Sequence, residues 1–426
     1  MVAALLVVMG ASVAQPAGAT PGGKFPKNFM WGVATSDFQS GGSFPDSNWT
    51  RYAAKSPDPY QNSADFRHRY PEDIARAKAL GVKVFRTSIE WARIEPRRGV
   101  RDATALAYYD DLVRRIRAAG MRPMLTLDHW VYPGWVADQG AWGNPATAQE
   151  WLDNARFVVN RYKHLGVMWI TFNEPFAYLT EEFGHRSLSP AQLLTMRTRM
   201  IQTHLEAYDL IHRIDPGAMV TSNTSYGSVL NGLSDAAGFN AMSKKMDFIG
   251  IDYYYGVSAG NLTAINAAGG ALWKITFEPE GLYYVLKAYQ KRFPKLAIYV
   301  VENGMPTENG KPRADGYTRS QHLRDHIYWI QRALADGVHV IGYNYWSITD
   351  NYEWGSYSPR FGLYTVDVLT DPALTRRPTD AVATYQAIIR NQGVPTGYVP
   401  VRKPAWCSVE NPAATCFGTT PTPPAP

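Results

Sequence analysis

The chain has 426 residues, 45% of them hydrophobic and 13% aromatic, and a net charge of +6 at neutral pH. That is ample for a large packed core and too long for an ordinary small domain, unless the fold is an α/β barrel, which runs past about 250 residues as one domain. Lys and Arg occur only in short runs such as Arg97-Arg98 and Arg376-Arg377; without a basic stripe interleaved with aromatics, nucleic acid is not the expected partner.

Taken from the N-terminus, residues 2–15 (VAALLVVMGASVAQ) form an apolar stretch followed by small residues, PAGATPGG. This reads as the apolar region and cleavage zone of a signal peptide over residues 1–22, although the usual basic start is missing. An exported, extracellular protein is expected, with wall association as a weaker alternative. No later segment has 18 uninterrupted apolar residues, so no membrane-spanning helix is expected in the mature chain.

Eight strand-like runs follow, at about 29–36, 82–89, 122–128, 168–174, 219–224, 246–254, 297–303 and 340–348. Helix-period segments lie between them, including 104–119, 147–163, 190–214 and 318–336. Gly81, Gly120, Gly166 and Gly337 follow several such segments, where a left-handed C-terminal residue belongs. Eight strands alternating with helices predict a parallel sheet closed into a (β/α)8 TIM barrel, a single catalytic domain over 23–395. A doubly wound open sheet is the rival, but Gly41-Gly42 is a poor phosphate loop. The long connection 37–81 is expected to be one decorated loop. Residues 396–426 form a tail, with Cys407 and Cys416 expected to close a local disulfide before the Pro/Thr-rich end FGTTPTPPAP.

In such a barrel the chemistry sits at the C-terminal ends of the strands. The polar residues there are Gln39, Arg86, His129, Asn173, Glu174, Tyr254, Glu302, Asn303, Trp346 and, just beyond, Glu353. Glu174 ends the run WITFNEP and Glu302 ends IYVVENG. Two carboxyls across a barrel mouth suit glycoside hydrolysis, one protonating the departing oxygen and the other attacking the anomeric carbon. Arg86 and Tyr254 are placed to keep Glu302 ionised, and the resulting charge raises the pKa of Glu174. The bland readings are a helix cap for Glu174, a turn residue for Glu302 and a core histidine for His129. Trp130 and Trp142 read equally as core or cleft. The scattered histidines imply no metal and the chemistry needs no cofactor.

At this point seven stretches resemble glycoside hydrolase family 1, the retaining β-glucosidase family. They are FPKNFMWGVATSDFQSGG (25–42), HRYPEDIARAKALGVKVFRTSIEWARIEP (68–96), PMLTLDHW (123–130), ARFVVNRYKHLGVMWITFNEP (155–175), DFIGIDYYYG (247–256), IYVVENG (298–304) and GVHVIGYNYWSITDNYEWGSYSPRFGLYTVD (337–367). The resemblance implies Glu174 as acid/base and Glu302 as nucleophile. It implies that Gln39, His129, Asn173, Glu353 and Trp354 grip the first sugar, that Trp346 is a platform toward the leaving group, and that Tyr254 contacts the nucleophile. A carboxylate at Glu353 would repel phosphate, so the expected substrate is an unphosphorylated β-glycoside.

Three features depart from the family pattern. The Glu usual after YQ is missing, and the run here is FQSGG. Asp252 stands where the family usually has Asn, and is read either as a hydrogen bonder behind the site or as an altered sugar contact. The stretch from Glu174 to Tyr254 is short, which suggests an open aglycone side. The alternatives are an endo-acting cellulase-type hydrolase, a transglycosidase, and, in another class, a non-catalytic carbohydrate-binding protein on a degenerate barrel.

Overall fold

The structure, a computed structural model, describes residues 23–226, 238–256, 263 and 270–402. The expected signal peptide and the Cys407–Cys416 loop lie outside these residues. Among the described residues no helix is long and apolar enough to cross a membrane.

Nine parallel segments build the central sheet: β1 (Met30–Ala34), β2 (Val84–Ser88), β3 (Arg122–Thr126), β4 (Met168–Ile170), β5 (Met219–Thr221), β6 (Thr224–Tyr226), β7 (Phe248–Tyr253), β8 (Ala297–Asn303) and, after the two-residue β9 (Thr307–Glu308), β10 (Val340–Trp346). β1 pairs with both β2 and β10, which turns the sheet into a ring. β5 pairs with β4 and β6 with β7, and only Ser222 and Asn223 separate the two. Residues 219–226 are therefore one interrupted strand, and the fold is the expected (β/α)8 barrel. The interruption leaves Asn223 pointing at the barrel mouth, where it bonds Asn173 and Asp252.

Alternation along the strands separates two cores. Val84, Met124, Met168, Ile170, Phe248, Tyr299 and Val301 pack together inside the ring. The opposite faces pack against helices that include Ala103–Ala118, Ala146–Tyr162, Pro190–Ile214 and Arg319–Ala335. All four lie within a residue of their expected bounds. Asp102 caps the first of them, and the last two each begin with a reciprocal capping box, Ser189 with Gln192 and Thr318 with Gln321.

The connection 37–81 differs from the expected single loop. It contains the helices Asp37–Gly41, Asn48–Ala53 and Phe66–Leu80. The last is the barrel's first outer helix, and Pro71 within it obscures the helical signal in the sequence. The run 168–174 also differs: it leaves strand geometry after Ile170, and the Asn173 amide bonds the Asp128 carbonyl instead.

Candidate active site

Glu174 follows β4 with a left-handed backbone (φ 40°, ψ 65°), and Pro175 begins the helix Pro175–Gly184. The carboxyl therefore occupies the N-cap position, yet it makes no capping hydrogen bond. Proline starts the helix without needing a donor at that point, which releases the Glu174 side chain toward the mouth. The helix-cap reading thus describes the position of Glu174 but not its contacts.

Glu302 reaches the same place by a different device. In β8 the register against β7 shifts between Ile251–Val300 and Asp252–Glu302. Val301 is the extra residue of this bulge, and it packs inside the barrel with Tyr299. Strict alternation would turn Glu302 outward; the bulge re-aims it into the mouth. There Arg86 Nη1 donates to Oε1, and Tyr254 donates to Oε2 at 2.6 Å.

Arg86 is fully buried and spreads its donors over the whole floor. Nε donates to Thr126 Oγ1 at 3.1 Å, and Nη2 donates to Asn173 Oδ1 at 2.6 Å. Nη2 also lies 3.3 Å from His129 Nδ1. Because a guanidinium only donates, that nitrogen of His129 accepts and the ring carries its proton on Nε2. Burial and the Arg86 charge hold His129 well below its ordinary pKa, so it stays neutral. Asn223 also donates to Asn173 Oδ1, at 2.7 Å. With that oxygen taken twice, Asn173 keeps Nδ2 for the cleft it lines.

The cleft, open to solvent on one side, spans about 550 Å³ of empty space. Its walls bring together Gln39, His129, Asn173, Glu174, Tyr254, Glu302, Trp346, Glu353 and Trp354 from the sequence-derived set. Arg86 lies beneath them. Glu353 is positioned by two partners, accepting from Trp346 Nε1 at 3.1 Å and from Gln39 Nε2 at 3.3 Å. Asp350 shapes the loop before it by accepting from Gly362 N, Val366 N and Thr365 Oγ1. His129 stacks with Trp346 and Trp354, with interplanar angles of 11° and 16°. Trp130, undecided in sequence, lines the cleft and bonds the Asn173 carbonyl. Trp142 is core, donating to Tyr178. Asn303 is held by Tyr253 and Tyr343 and does not line the cleft.

Two residues at the carboxyl cluster carry more than the sequence reading gave them. Asp252 is buried, and one oxygen each from Asp252, Glu174 and Glu302 lie within 4.8 Å of one another. Asp252 shares the inward parity of Phe248 along β7, which is the signal that places it. Asn223 had no signal of its own, because nothing in the sequence marks a break in the fifth strand.

The electrostatics follow from burial. Desolvation, then the Glu302 charge, pushes the Glu174 carboxyl up to about 8. Asp252 is raised well above the usual carboxylate range by burial and by the charges of Glu302 and Glu174. Burial likewise pushes Glu353 up to about 8. Tyr254 is raised well above its ordinary value by burial and by Glu302, so its hydroxyl keeps its proton and donates. A neutral acid facing an arginine-bound carboxyl, beneath aromatic walls, can protonate one atom of a bound molecule while another is attacked.

Comparison with known proteins gives the family. The chain is 31% identical over 350 residues to Galactolipid galactosyltransferase SFR2 of Arabidopsis thaliana, covering 72% of this chain and 55% of that one. It is 28% identical to a Beta-galactosidase of Sulfolobus acidocaldarius, covering 87% of this chain and 96% of the relative. It is 26% identical to the human Lactase/phlorizin hydrolase, of which it spans only 24%. The chain thus spans about half or less of some relatives and nearly all of others. The solved structure of Beta-glucosidase from Thermotoga maritima in complex with deoxynojirimycin shares the fold, with a TM-score of 0.75 over 87% of this chain and 100% of that one, at 23% identity. The family model described as Glycosyl hydrolase family 1 matches residues 22–231 and 233–394, and with that coverage the chain belongs to glycosyl hydrolase family 1.

Proposed function

We propose that this protein is an exported retaining β-glycosidase that removes a terminal, unphosphorylated β-linked sugar by double displacement. The observation that carries the reading is the carboxyl pair. Glu302 is bound by Arg86 and Tyr254, and Glu174 faces it with one oxygen within 4.8 Å of a Glu302 oxygen and its pKa pushed up to about 8. Retaining pairs lie about 5–5.5 Å apart, whereas inverting pairs need roughly 6.5–9.5 Å to admit a water.

In the first step Glu302 attacks the anomeric carbon and the glycosidic C–O bond breaks. The Glu174 proton passes to the departing oxygen, and a glycosyl ester forms on Glu302. Esterification removes the Glu302 charge, so Glu174 becomes easier to ionise. In the second step water gives a proton to Glu174, its oxygen bonds to the anomeric carbon, and Glu302 is released as the carboxylate. Gln39, His129, Asn173, Glu353 and Trp354 hold the glycone, Trp346 faces the leaving group, and the carboxyl of Glu353 disfavours a 6-phosphate. Export rests on the apolar stretch of residues 2–15.

The test is a panel of nitrophenyl β-glycosides with NMR of the first-formed anomer. A β product is expected, and Glu302→Gly is expected to lose turnover and regain it with azide as an α-glycosyl azide. An α product from the native enzyme overturns the double displacement. One observation favours a second reading, transfer in place of hydrolysis: the Arabidopsis thaliana relative bears the name of a galactosyltransferase. Both routes share the glycosyl ester, so the ratio of transfer to hydrolysis products with a sugar acceptor separates them.

A further inference from the structure

The cluster at the barrel mouth contains three carboxyls and one guanidinium. Facing Asp252 are Glu302 from β8, Glu174 after β4, Arg86 from β2 and Tyr254 beyond its own strand. His129 touches Arg86, and Glu353 acts on Glu302's side of the cleft. Asp252 Oδ2 accepts from Asn223 Nδ2, which Asn173 holds from the other side. Asp252 Oδ1 is buried without an N–H or O–H partner, and one oxygen of Asp252 lies within 4.8 Å of one oxygen of Glu174. Two carboxyls so close in a buried site do not both ionise.

We propose that Asp252 is a positioning residue for the acid/base, keeping a proton throughout the reaction and donating it in a hydrogen bond to Glu174. The proposal rests on the glycosidase reading of the same site. Charge accounting supports it. In the free enzyme Glu302 is the one carboxylate opposite Arg86, and the Glu174–Asp252 pair holds two protons. When the Glu174 proton leaves with the aglycone, the charge on Glu302 disappears into the ester. The pair then holds one proton and one negative charge, still opposite Arg86. At each stage one anion faces one cation. An ionised Asp252 would add a second buried anion throughout, against the burial that pushes both carboxyls upward.

The hydrogen bond has a direction and a consequence. A donor from Asp252 stabilises ionised Glu174, so Glu174 gives up its proton more readily in the first step and stands ready as a base in the second. Asn223 keeps Asp252 oriented by occupying the other oxygen. Where the family usually has Asn, Asp252 thus offers a donor toward Glu174 in a form that titrates.

The test compares Asp252→Asn, which keeps an N–H donor and cannot ionise, with Asp252→Ala, which keeps none. With an aryl β-glycoside, Asp252→Asn is expected to leave the alkaline limb of kcat/KM within about one unit of the native position. Asp252→Ala is expected to slow hydrolysis of a substrate with a poor leaving group roughly tenfold to hundredfold, with Asn restoring most of the rate. The infrared difference between native and Asp252→Asn protein at neutral pH is expected to show a protonated carboxylic acid lost in the variant. A shift of the alkaline limb by about 1–3 units toward acid in Asp252→Asn, the signature of a removed anion, overturns the proposal. So does absence of the carboxylic-acid band. The band needs no turnover: if native protein hydrolyses no glycoside, the glycosidase reading fails, while the infrared result still decides where the proton sits.

Discussion

At the scale of single residues, the site works by giving like groups unlike surroundings. Glu302 and Glu174 are both buried glutamates, 4% and 9% exposed. One meets a guanidinium and a phenol, while the other meets a carboxyl and an apolar wall. Burial first, and then the neighbouring Glu302 charge, push the Glu174 carboxyl up. The sign of the pH dependence follows. In the double displacement proposed above, Glu174 serves the first step only while protonated, and its carboxyl is pushed up to about 8. The kcat/KM of the native enzyme is therefore expected to fall as pH rises through about 8, tenfold per unit beyond it for a single proton. For Glu174→Gln this alkaline limb is expected to vanish, leaving a pH-independent residual rate on substrates whose leaving groups need no proton. A pH–rate series with dinitrophenyl glycosides checks this; an unchanged limb in the variant would assign the titration to another group.

At the scale of elements, side chains reach the mouth because strands are interrupted at chosen places. The bulge at Val301 turns Glu302 inward, and the break at Ser222-Asn223 sends an amide toward Asn173 and Asp252. Beneath these irregularities the barrel floor packs tightly. A Cβ added at Gly342 on β10 would lie 2.1 Å from the Tyr299 ring, whose hydroxyl bonds the Met30 carbonyl and Asn344 Oδ1. Tyr299 is fully buried within the inner core. Gly342→Ala is thus expected to cost about 1–3 kcal/mol of stability through overpacking. A lower urea midpoint at unchanged m value is the readout; an unshifted midpoint would mean that the ring and the strand relax apart at no cost.

At the scale of the whole molecule, buried titratable groups set how stability depends on pH. Burial pushes Glu90, Asp128, Glu174 and Glu353 each up to about 8. Each binds its proton more tightly folded than unfolded, so each stabilises the fold below the unfolded carboxyl pKa and loses that contribution as pH rises toward 8. Burial also lowers His204 and His326 to about 4. These bind fewer protons folded than unfolded, so their contribution grows as pH rises from about 4 to the unfolded histidine value near 6.5. Above that value the histidine gain is complete and only the carboxyl loss continues. The melting temperature is therefore expected to fall between pH 6.5 and 8, measured by calorimetry at constant ionic strength. A rise over that interval would mean that the buried carboxyls are ionised in the folded protein.

The amino-acid sequence alone determined the eight-strand alternation, four of the outer helices and the strand-end positions of Glu174, Glu302, Arg86 and Tyr254. Periodicity, capping residues and the strand-end rule are local signals, and they survive without knowledge of neighbours. Only the tertiary structure decided which strand-end groups face one another. The bulge that turns Glu302, the break that presents Asn223 and the closeness of Asp252 to Glu174 arise from register between strands far apart in the chain. Register is set by how the ring closes around its inner core, a property that no single stretch of residues carries.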